Sequence, residues 1–511
     1  MWIHFIIFSS LILFLLLWSK NFLGNFKKSE SPYIKLIICI VFTLLFKYDY
    51  GFHFLGLEYE DAYSFSAYTR QLSYGVLSDS LRIQCVDIGS LSNPQSLGTY
   101  GGHYITYPIF LYLFTSIFGF SITGISIINS FISLLSILTL AFFKYENRYG
   151  WIVAVSIFCL APAINLFSTC FLSESFSAFL CLCFVLGFFN LKNNNSEIYK
   201  IFVYLSFFLC ILTKRDNAIL ILVPFTYAIF ELFHKEYKQS IRYVLPYLII
   251  IVLSSIFIHN LFLAEFEEST DISQTTFSFS IFLSQFPIYI KSLLSFPFFS
   301  VSAIFFSILL IYNIVSRKFS PSLVSLSVLF VASIIMYSSH YRGYYFVENL
   351  EPFNEFSTFR YLNNFFYIIP CFIALSFSLP RKYEITTLTS VLILNVFTFF
   401  LTLTLRANFS QEEYAQRFED IENVAPLLDA NDVLITDVPL LFFNLISPEQ
   451  NICNIQRISE LNFNSSHRFY FYADDLNVLD NRYNLNLSKF DKQVVSVFPS
   501  GLKLYLIDKK P

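Results

Sequence analysis

The sequence predicts an α-helical polytopic membrane protein with about 12 transmembrane helices, one juxtamembrane helix and a small C-terminal α/β soluble domain. Three observations lead to this prediction. Hydrophobic residues make up 55% of the chain and charged residues 14%, against about a quarter charged in globular proteins. Long apolar runs recur up to residue 404, and short alternating runs follow them. The lysines and arginines of the short loops can all lie on one side of a membrane.

A helix needs roughly 17 to 25 mainly apolar residues to cross the hydrocarbon layer. Runs that meet or approach this length lie at 2–18, 33–47, 122–143, 151–168, 170–190, 198–213, 215–233, 241–263, 298–316, 320–338, 361–379 and 385–404. The first run lacks the basic start and the small-residue cleavage site of a signal peptide, so we interpret it as a retained span. A further apolar stretch, 104–119, is interrupted by Pro108.

Basic residues in short loops indicate the cytoplasmic side of a membrane protein. The loops that can share that side carry Lys20, Lys27, Lys28, Lys144, Arg148, Lys192, Lys200, Lys235, Lys238, Arg242, Arg317, Lys318, Arg381 and Lys382. This arrangement requires 104–119 to be a re-entrant or juxtamembrane helix on the outer side. The sequence therefore predicts a multi-pass plasma-membrane protein with the loops 48–121 and 264–297 and the tail after Arg406 outside the cytoplasm.

The chain changes character after residue 405. A polar helical stretch, SQEEYAQRFEDIENVAPLL, precedes the strand-like runs DVLITDV, RFYFYADD, VVSVF and LKLYLID. We therefore divide the chain into a transmembrane domain, 1–405, with the external loop 48–121, and an extracytoplasmic α/β domain, 406–511. The net charge of −3 and the lack of a basic patch exclude a nucleic-acid partner and leave membrane lipids as the surroundings.

The first external loop contains an unusual concentration of carboxylates in the stretch GLEYEDAYSFSAYTRQL, 56–72. A helix over 60–72 would place Asp61, Phe65, Tyr68 and Leu72 along one face. The carboxylates Glu60 and Asp61 then have two interpretations. They mark a solvated loop, or they perform acid–base chemistry at the membrane surface.

Five segments in order resemble the GT-C superfamily of membrane glycosyltransferases. They are EDAYSFSAYTRQLSYG, HYITYPIFLYLFTSIFG, LAPAINLFSTCFLSESFSAFL, LTKRDNAILILVPF and FRYLNNFFYIIP, and the resemblance covers residues 48 to 380. The pattern is similar to protein O-mannosyltransferases and lipid A aminoarabinose transferases. It implies transfer of a hexosyl or pentosyl unit from a polyprenyl-phosphate donor to a glycan, lipid or protein acceptor, with inversion and a carboxylate general base.

The resemblance also implies roles for individual residues. The family's acidic pair in the first external loop matches Glu60 and Asp61, and which of them is the base stays open. The other carboxylate would orient the acceptor or hold a divalent cation, Mg²⁺ or Mn²⁺. The family's Arg–Tyr pair matches Arg360 and Tyr361, so Arg360 is the preferred contact of the donor phosphate.

Four further residues are candidates for substrate binding, each with a structural alternative. Lys214 and Arg215 match the family's basic motif after the sixth span, or they extend to lipid headgroups. His103 corresponds to the family's His-Pro-Pro region, which here reads His103-Tyr104 with only the later Pro108, or it is an interfacial histidine. Glu174 is an isolated acid near the outer end of a span. It is costly unless it is paired, which favours a role in the cavity.

Two other classes of protein share some of these features with a glycosyltransferase. A transporter or lipid flippase would also have about twelve spans, but it usually shows two related halves with binding residues near the bilayer midplane. A polymerase of lipid-linked glycans would place its largest external loop late in the chain. The sequence contains no internal repeat and its charges cluster at one face, which favours an interfacial enzyme.

Overall fold

The computed structural model describes the helical bundle and a C-terminal sheet. The described residues are 2–46, 106–119, 122–142, 150–160, 173–191, 196–266, 279–293, 300–316, 320–339, 365–376, 423–429, 432–436, 451–455, 468–473, 490–499 and 501–509, with isolated positions between these ranges.

Most of the apolar runs fold as helices whose ends lie close to those predicted, whereas α1 extends ten residues beyond the predicted run 2–18. The helices are α1 Trp2–Lys28, α2 Pro32–Phe46, α3 Thr106–Phe118, α4 Ile122–Phe142, α5 Gly150–Leu160, α6 Ser173–Phe189, α7 Glu197–Thr213, α8 Leu222–Phe233, α9 Tyr237–Phe266, α10 Phe279–Leu293, α11 Ser300–Val315, α12 Pro321–Ser338 and α13 Phe365–Ser376. A 3-10 helix, Arg215–Ile221, connects α7 to α8.

Within the described residues, four stretches are long and apolar enough to cross a membrane by length and composition. They are His4–Lys28, Arg215–Phe233, Tyr237–Phe257 and Pro321–Ser338, and shorter apolar helices accompany them. The stretch 104–119 is helical as α3, and its predicted juxtamembrane or re-entrant position stays a prediction. The 13 residues of α3 are about 20 Å long, which is shorter than the hydrocarbon layer.

Some predicted segments differ from the observed ones. The run 151–168 folds as α5 only to Leu160, and residues 161–172 lie outside the described part of the chain. In the run 385–404 only isolated helical positions are described. The segment 264–297, predicted as an acidic external loop, contains the helix α10. This helix has 15 residues and an internal proline, Pro287, so its length does not meet the criterion for a span.

Helix α6 lies at the centre of the bundle. Its residues from Ser173 to Phe188 are all buried, as expected for a helix that is apolar on every side. Phe176 packs against Phe110 of α3 with ring centroids 4.4 Å apart. Near its other end, a Cβ on Gly187 would lie 3.1 Å from the Val203 side chain. The glycine therefore permits the close approach of α6 and α7.

The C-terminal residues form a five-stranded mixed sheet with the order β4-β3-β5-β7-β6. Its strands are β3 Val433–Thr436, β4 Asn451–Asn454, β5 Phe469–Ala473, β6 Phe490–Val497 and β7 Lys503–Lys509, and a separate short pair is formed by β1 Gln84–Cys85 and β2 Gln95–Ser96. Four of the five strands were predicted. Strand β4 was missed because Asn451 and Asn454 frame only two apolar positions.

An ionic contact joins the starts of the two parallel strands β3 and β5. Arg468 donates to both carboxylate oxygens of the buried Asp432, at 2.9 and 3.0 Å. Because parallel strands begin at the same edge of a sheet, Asp432 and Arg468 meet directly before their strands. The hydrogen bond and charge of Asp432 raise the pKa of Arg468 above its usual value. The planar guanidinium thus stabilises the register of the pair.

Candidate functional site

The site is built on two neighbouring antiparallel helices of equal length. Helices α6 and α7 each contain 17 residues and are joined by a short connection. The first turn of α6 therefore lies beside the last turn of α7. At this end the Lys214 ammonium donates to Glu174 Oε1 at 2.7 Å. The Glu174 side chain is fully buried, whereas 21% of the Lys214 side chain is exposed.

Both charges lie where the helix dipoles favour them. Glu174 is in the first turn of α6, close to that helix's positive end. Lys214 is the C-cap of α7, close to the negative end of that helix. The pairing and the dipoles together offset the cost of burying a carboxylate in an apolar bundle. The ion pair is therefore part of the structure of this end of the bundle and differs from an exposed surface contact.

The backbone around Lys214 is held by a buried amide. Lys214 is extended, with φ −150° and ψ 127°, between the end of α7 and the start of the 3-10 helix. Asn217 Nδ2 donates to Ser177 Oγ at 2.8 Å and to the Cys210 carbonyl at 2.9 Å. Asn217 therefore connects the 3-10 helix, α6 and the last turn of α7. This clamp fixes the direction in which the Lys214 side chain leaves the chain.

Helix α3 begins at the same end of the bundle. Thr106 Oγ1 donates to the Leu212 carbonyl at 2.6 Å, so the first residue of α3 lies next to the end of α7. Thr69 Oγ1 donates to the Pro108 carbonyl at 3.4 Å. Thr69 and Leu72 are buried and helical, and the other residues of the helix predicted over 60–72 lie outside the described part of the chain. The chain that follows the acidic stretch is thereby attached to the start of α3.

Three buried tyrosines converge on the charged end. Tyr337, at the end of α12, lies within electrostatic range of Glu174, Asp216 and Tyr289 of α10. Tyr367 of α13 interacts with Cys181 of α6 and in turn with Tyr337. Each tyrosine is at most 6% exposed. We call Glu174, Lys214, Asn217, Tyr337 and Tyr367 the polar cluster, and the end of the bundle that contains it the cluster end.

The structure brings some of the predicted site residues together. Glu174 and Lys214 form an ion pair, which offsets the cost of the buried acid, and the role predicted for Glu174 in the cavity stays a prediction. Arg215 follows Lys214 directly and is exposed. The remaining predicted residues, Glu60, Asp61, His103, Arg360 and Tyr361, lie outside the described part of the chain.

Sequence reasoning missed other members of the polar cluster. Asn217 was overlooked because it follows the more conspicuous charges of Lys214, Arg215 and Asp216. The tyrosines were overlooked because tyrosine is common throughout the apolar runs, with 33 in the chain. The signal that could have identified these tyrosines is that a tyrosine recurs near the outer end of several predicted spans.

The described residues do not form a metal centre. Among them, no group of three or more His, Cys, Asp or Glu side chains is close enough to hold a metal ion. The Glu174 carboxylate already accepts a hydrogen bond from Lys214. A divalent cation at Glu60 or Asp61 stays a prediction.

The described helices form an apolar bundle with a charged pair at one end. Two of the solved structures that share this fold are of ArnT. ArnT from Cupriavidus metallidurans bound to undecaprenyl phosphate matches with a TM-score of 0.56 and 10% identity, over 94% of this chain and 98% of that chain. ArnT from the same organism in the apo state matches with a TM-score of 0.56 and 10% identity, over 88% of this chain and 93% of that chain.

No family model and no curated protein matches the sequence. The similarity to ArnT extends over nearly the whole chain and establishes the fold. The resemblance predicted from five sequence segments is confirmed at that level. The fold alone does not carry an activity, because one fold supports different chemistries at different sites.

Proposed function

We propose that the protein is a membrane glycosyltransferase that moves a hexosyl or pentosyl unit from a polyprenyl-phosphate donor to an acceptor on the extracytoplasmic face. The observation that carries this proposal is the ion pair of Glu174 and Lys214 at the cluster end of an ArnT-like fold. An ammonium has three donors, and one of them is used by Glu174. The other two are available to phosphate oxygens.

The donor lipid fits this end of the bundle. The solved ArnT structure contains undecaprenyl phosphate, and we propose a lipid of this class as donor here. Its phosphate would bind Lys214, with the exposed Arg215 supplying a planar fork for further oxygens. As the sugar leaves, negative charge grows on that phosphate. A cation held in place by Glu174 and Asn217 stabilises that charge with little rearrangement.

The acceptor is activated from the first external loop. A carboxylate of Glu60 or Asp61 accepts the proton of an acceptor hydroxyl as its oxygen attacks the anomeric carbon. The bond between that carbon and the phosphate oxygen breaks on the opposite side, which inverts the configuration. The products are the glycosylated acceptor and polyprenyl phosphate. Glycan, lipid and protein hydroxyls all satisfy this chemistry.

The position of the ion pair supports an interfacial enzyme over a transporter or flippase. A transporter binds its substrate near the bilayer midplane. Glu174 and Lys214 instead lie at the ends of helices about 26 Å long, one in a first turn and the other at a C-cap. A polymerase of lipid-linked glycans would use a related donor. No feature of the described residues favours it.

The proposal is tested by reconstitution. Purified protein in vesicles is supplied with a panel of radiolabelled polyprenyl-phosphate sugars and with envelope glycan, lipid and protein fractions as acceptors. We expect label to move to one acceptor fraction, with polyprenyl phosphate released in equal amount. Movement of intact donor between leaflets without cleavage of the sugar–phosphate bond would contradict the proposal and indicate a flippase.

Arg360→Ala is expected to weaken use of the donor. Loss of one charge-assisted hydrogen bond costs about 1.5–3 kcal/mol, or roughly ten- to a hundred-fold in apparent donor affinity. The measurement is the donor concentration dependence of transfer. Arg381→Ala is the matched control, because Arg381 lies at the predicted cytoplasmic end of the same span. Unchanged donor affinity in Arg360→Ala would remove Arg360 from the site.

The cluster end is expected to face the outside of the cell. A membrane-impermeant thiol reagent should label Ser80→Cys in the first external loop and Gln493→Cys on the exposed face of β6 in intact cells. Lys238→Cys, in a loop predicted to be cytoplasmic, should react only after permeabilisation. Protection of Ser80→Cys in intact cells would contradict the predicted orientation and the placement of the active site.

A further inference from the structure

A cleft lies at the opposite end of the bundle from the polar cluster. It is formed between α1, α4, α6 and α7, has a volume of about 50 Å³ and is partly open to the surroundings. Its walls include Trp18, Asn21, Asn25, Thr139 and Gly187. Glu174 and Gly187 are both on α6, 13 residues apart, which corresponds to about 20 Å along the helix. The cleft is therefore separate from the proposed active site.

The inner part of the cleft is aromatic. Trp18 stacks on Phe22 with ring centroids 5.2 Å apart, and Phe22 contacts Phe142 edge-on at 5.1 Å. Trp18 Nε1 donates to Thr139 Oγ1 at 3.0 Å, so its polar atom is satisfied within the protein. An elongated apolar group such as an acyl chain fits walls of this kind.

The outer part of the cleft is polar and has an unused donor. Asn21 Nδ2 is buried, and no acceptor for it is present in the described structure. A buried donor without an acceptor costs roughly 1–3 kcal/mol. An oxygen of a bound molecule would remove that cost. The Asn25 side chain lines the same wall one turn further along α1.

A cation continues this face of α1 towards the membrane surface. At 100° per residue, Lys28 lies about 20° around the helix from Asn21. Lys20 and Lys27 lie on the far side of α1 from the cleft by the same geometry. Lys28 is exposed and belongs to the last turn of the helix. From the inside outwards, the face therefore offers an aromatic wall, an amide donor and an ammonium.

We infer that this cleft binds one anionic phospholipid of the leaflet at this end of the bundle. Its acyl chain would lie against Trp18 and Phe22, its phosphate or ester oxygens would accept from Asn21, and Lys28 would bind the anionic headgroup. Basic pockets between transmembrane helices are known to recognise such headgroups. The inference does not depend on the proposed glycosyl transfer.

The test uses Trp18 as a contact probe. The chain has three tryptophans, so Trp2→Phe and Trp151→Phe leave Trp18 alone. The protein is placed in phosphatidylcholine vesicles that contain increasing amounts of brominated phosphatidylglycerol, and quenching of Trp18 is compared with that by brominated phosphatidylcholine. We expect quenching by the anionic lipid to saturate at about fivefold lower mole fraction.

Variants of the residues on the polar face test the proposed contacts with the lipid headgroup. Lys28→Ala should remove most of the preference for the anionic lipid, whereas the matched control Lys20→Ala should keep it. Asn21→Leu should weaken quenching by both brominated lipids, because the ester and phosphate oxygens lose their donor. Equal quenching by both lipids in the parent, or an equal loss in Lys20→Ala and Lys28→Ala, would overturn the inference. Competition by inorganic phosphate would show that the site takes a free anion and would also overturn it.

Discussion

Asp61→Asn is expected to lower glycosyl transfer by about a hundred- to ten-thousand-fold, which is the usual contribution of a positioned general base. The amide keeps the size of the side chain and can still form hydrogen bonds, but it cannot accept the acceptor's proton. Binding of the donor lipid should persist, because that step depends on the phosphate contacts and not on the base. The measurement is single-turnover transfer alongside equilibrium binding of the donor.

Variants of two neighbouring acids are measured beside Asp61→Asn, one as a control and one as the alternative base. Glu58→Gln removes a carboxylate from the same stretch and should leave transfer nearly unchanged. If Glu60→Gln abolishes transfer while Asp61→Asn does not, the two roles are exchanged and Glu60 is the base. Full activity in both Glu60→Gln and Asp61→Asn would mean that the pair is a solvated loop, and the proposed mechanism would lose its base.

Lys214→Met is expected to abolish donor binding and to destabilise the protein. Glu174 is fully buried, and a buried charge without its partner costs about 3–5 kcal/mol. The free energy of unfolding in detergent should therefore fall by an amount of that order, unless the carboxyl group becomes protonated. Donor binding should be lost as well, because Lys214 supplies the ammonium proposed to contact the phosphate.

A double variant separates these two effects. In Glu174→Leu with Lys214→Met, no buried charge is left unpaired, so most of the stability should return. Donor binding and transfer should stay absent. If the double variant regains transfer, Lys214 is only a structural partner of Glu174 and does not bind the phosphate.

The same helix provides a matched control for the loss of a lysine. Lys200 pairs with Glu197 at 2.7 Å at the other end of α7, where the Glu197 side chain is 82% exposed. An exposed ion pair contributes at most about 1 kcal/mol. Lys200→Met should therefore change stability little and leave transfer intact.

Much of the helical fold could be predicted because its signals are local. A span is recognised from a continuous apolar run, and the runs at 33–47, 122–143 and 320–338 match α2, α4 and α12 within one residue or so at each end. The alternating run RFYFYADD likewise predicted strand β5. Helix α10 was missed because it is shorter than a span and contains Gln285 and Pro287 within an otherwise acidic segment.

The candidate site was predictable only in part. Glu174 and Lys214 were each recognised from the sequence, because charges interrupting apolar runs are costly and need an explanation. Their pairing was not recognised, although the cost of an isolated Glu174 implied a partner. The contributions of Asn217 and Tyr337 could not be predicted either, because uncharged polar residues in helical runs give no such signal.

The positions of the apolar helices and of most strands follow from the sequence, because length, hydrophobicity and alternation are properties of consecutive residues. Which residues meet depends on the tertiary packing. Glu174 and Lys214 are 40 residues apart in the chain, and they meet because α6 and α7 pack antiparallel with level ends. The parallel pairing of β3 with both β4 and β5 also depends on long-range packing, since adjacent strands leave no mark of their partner in their own residues.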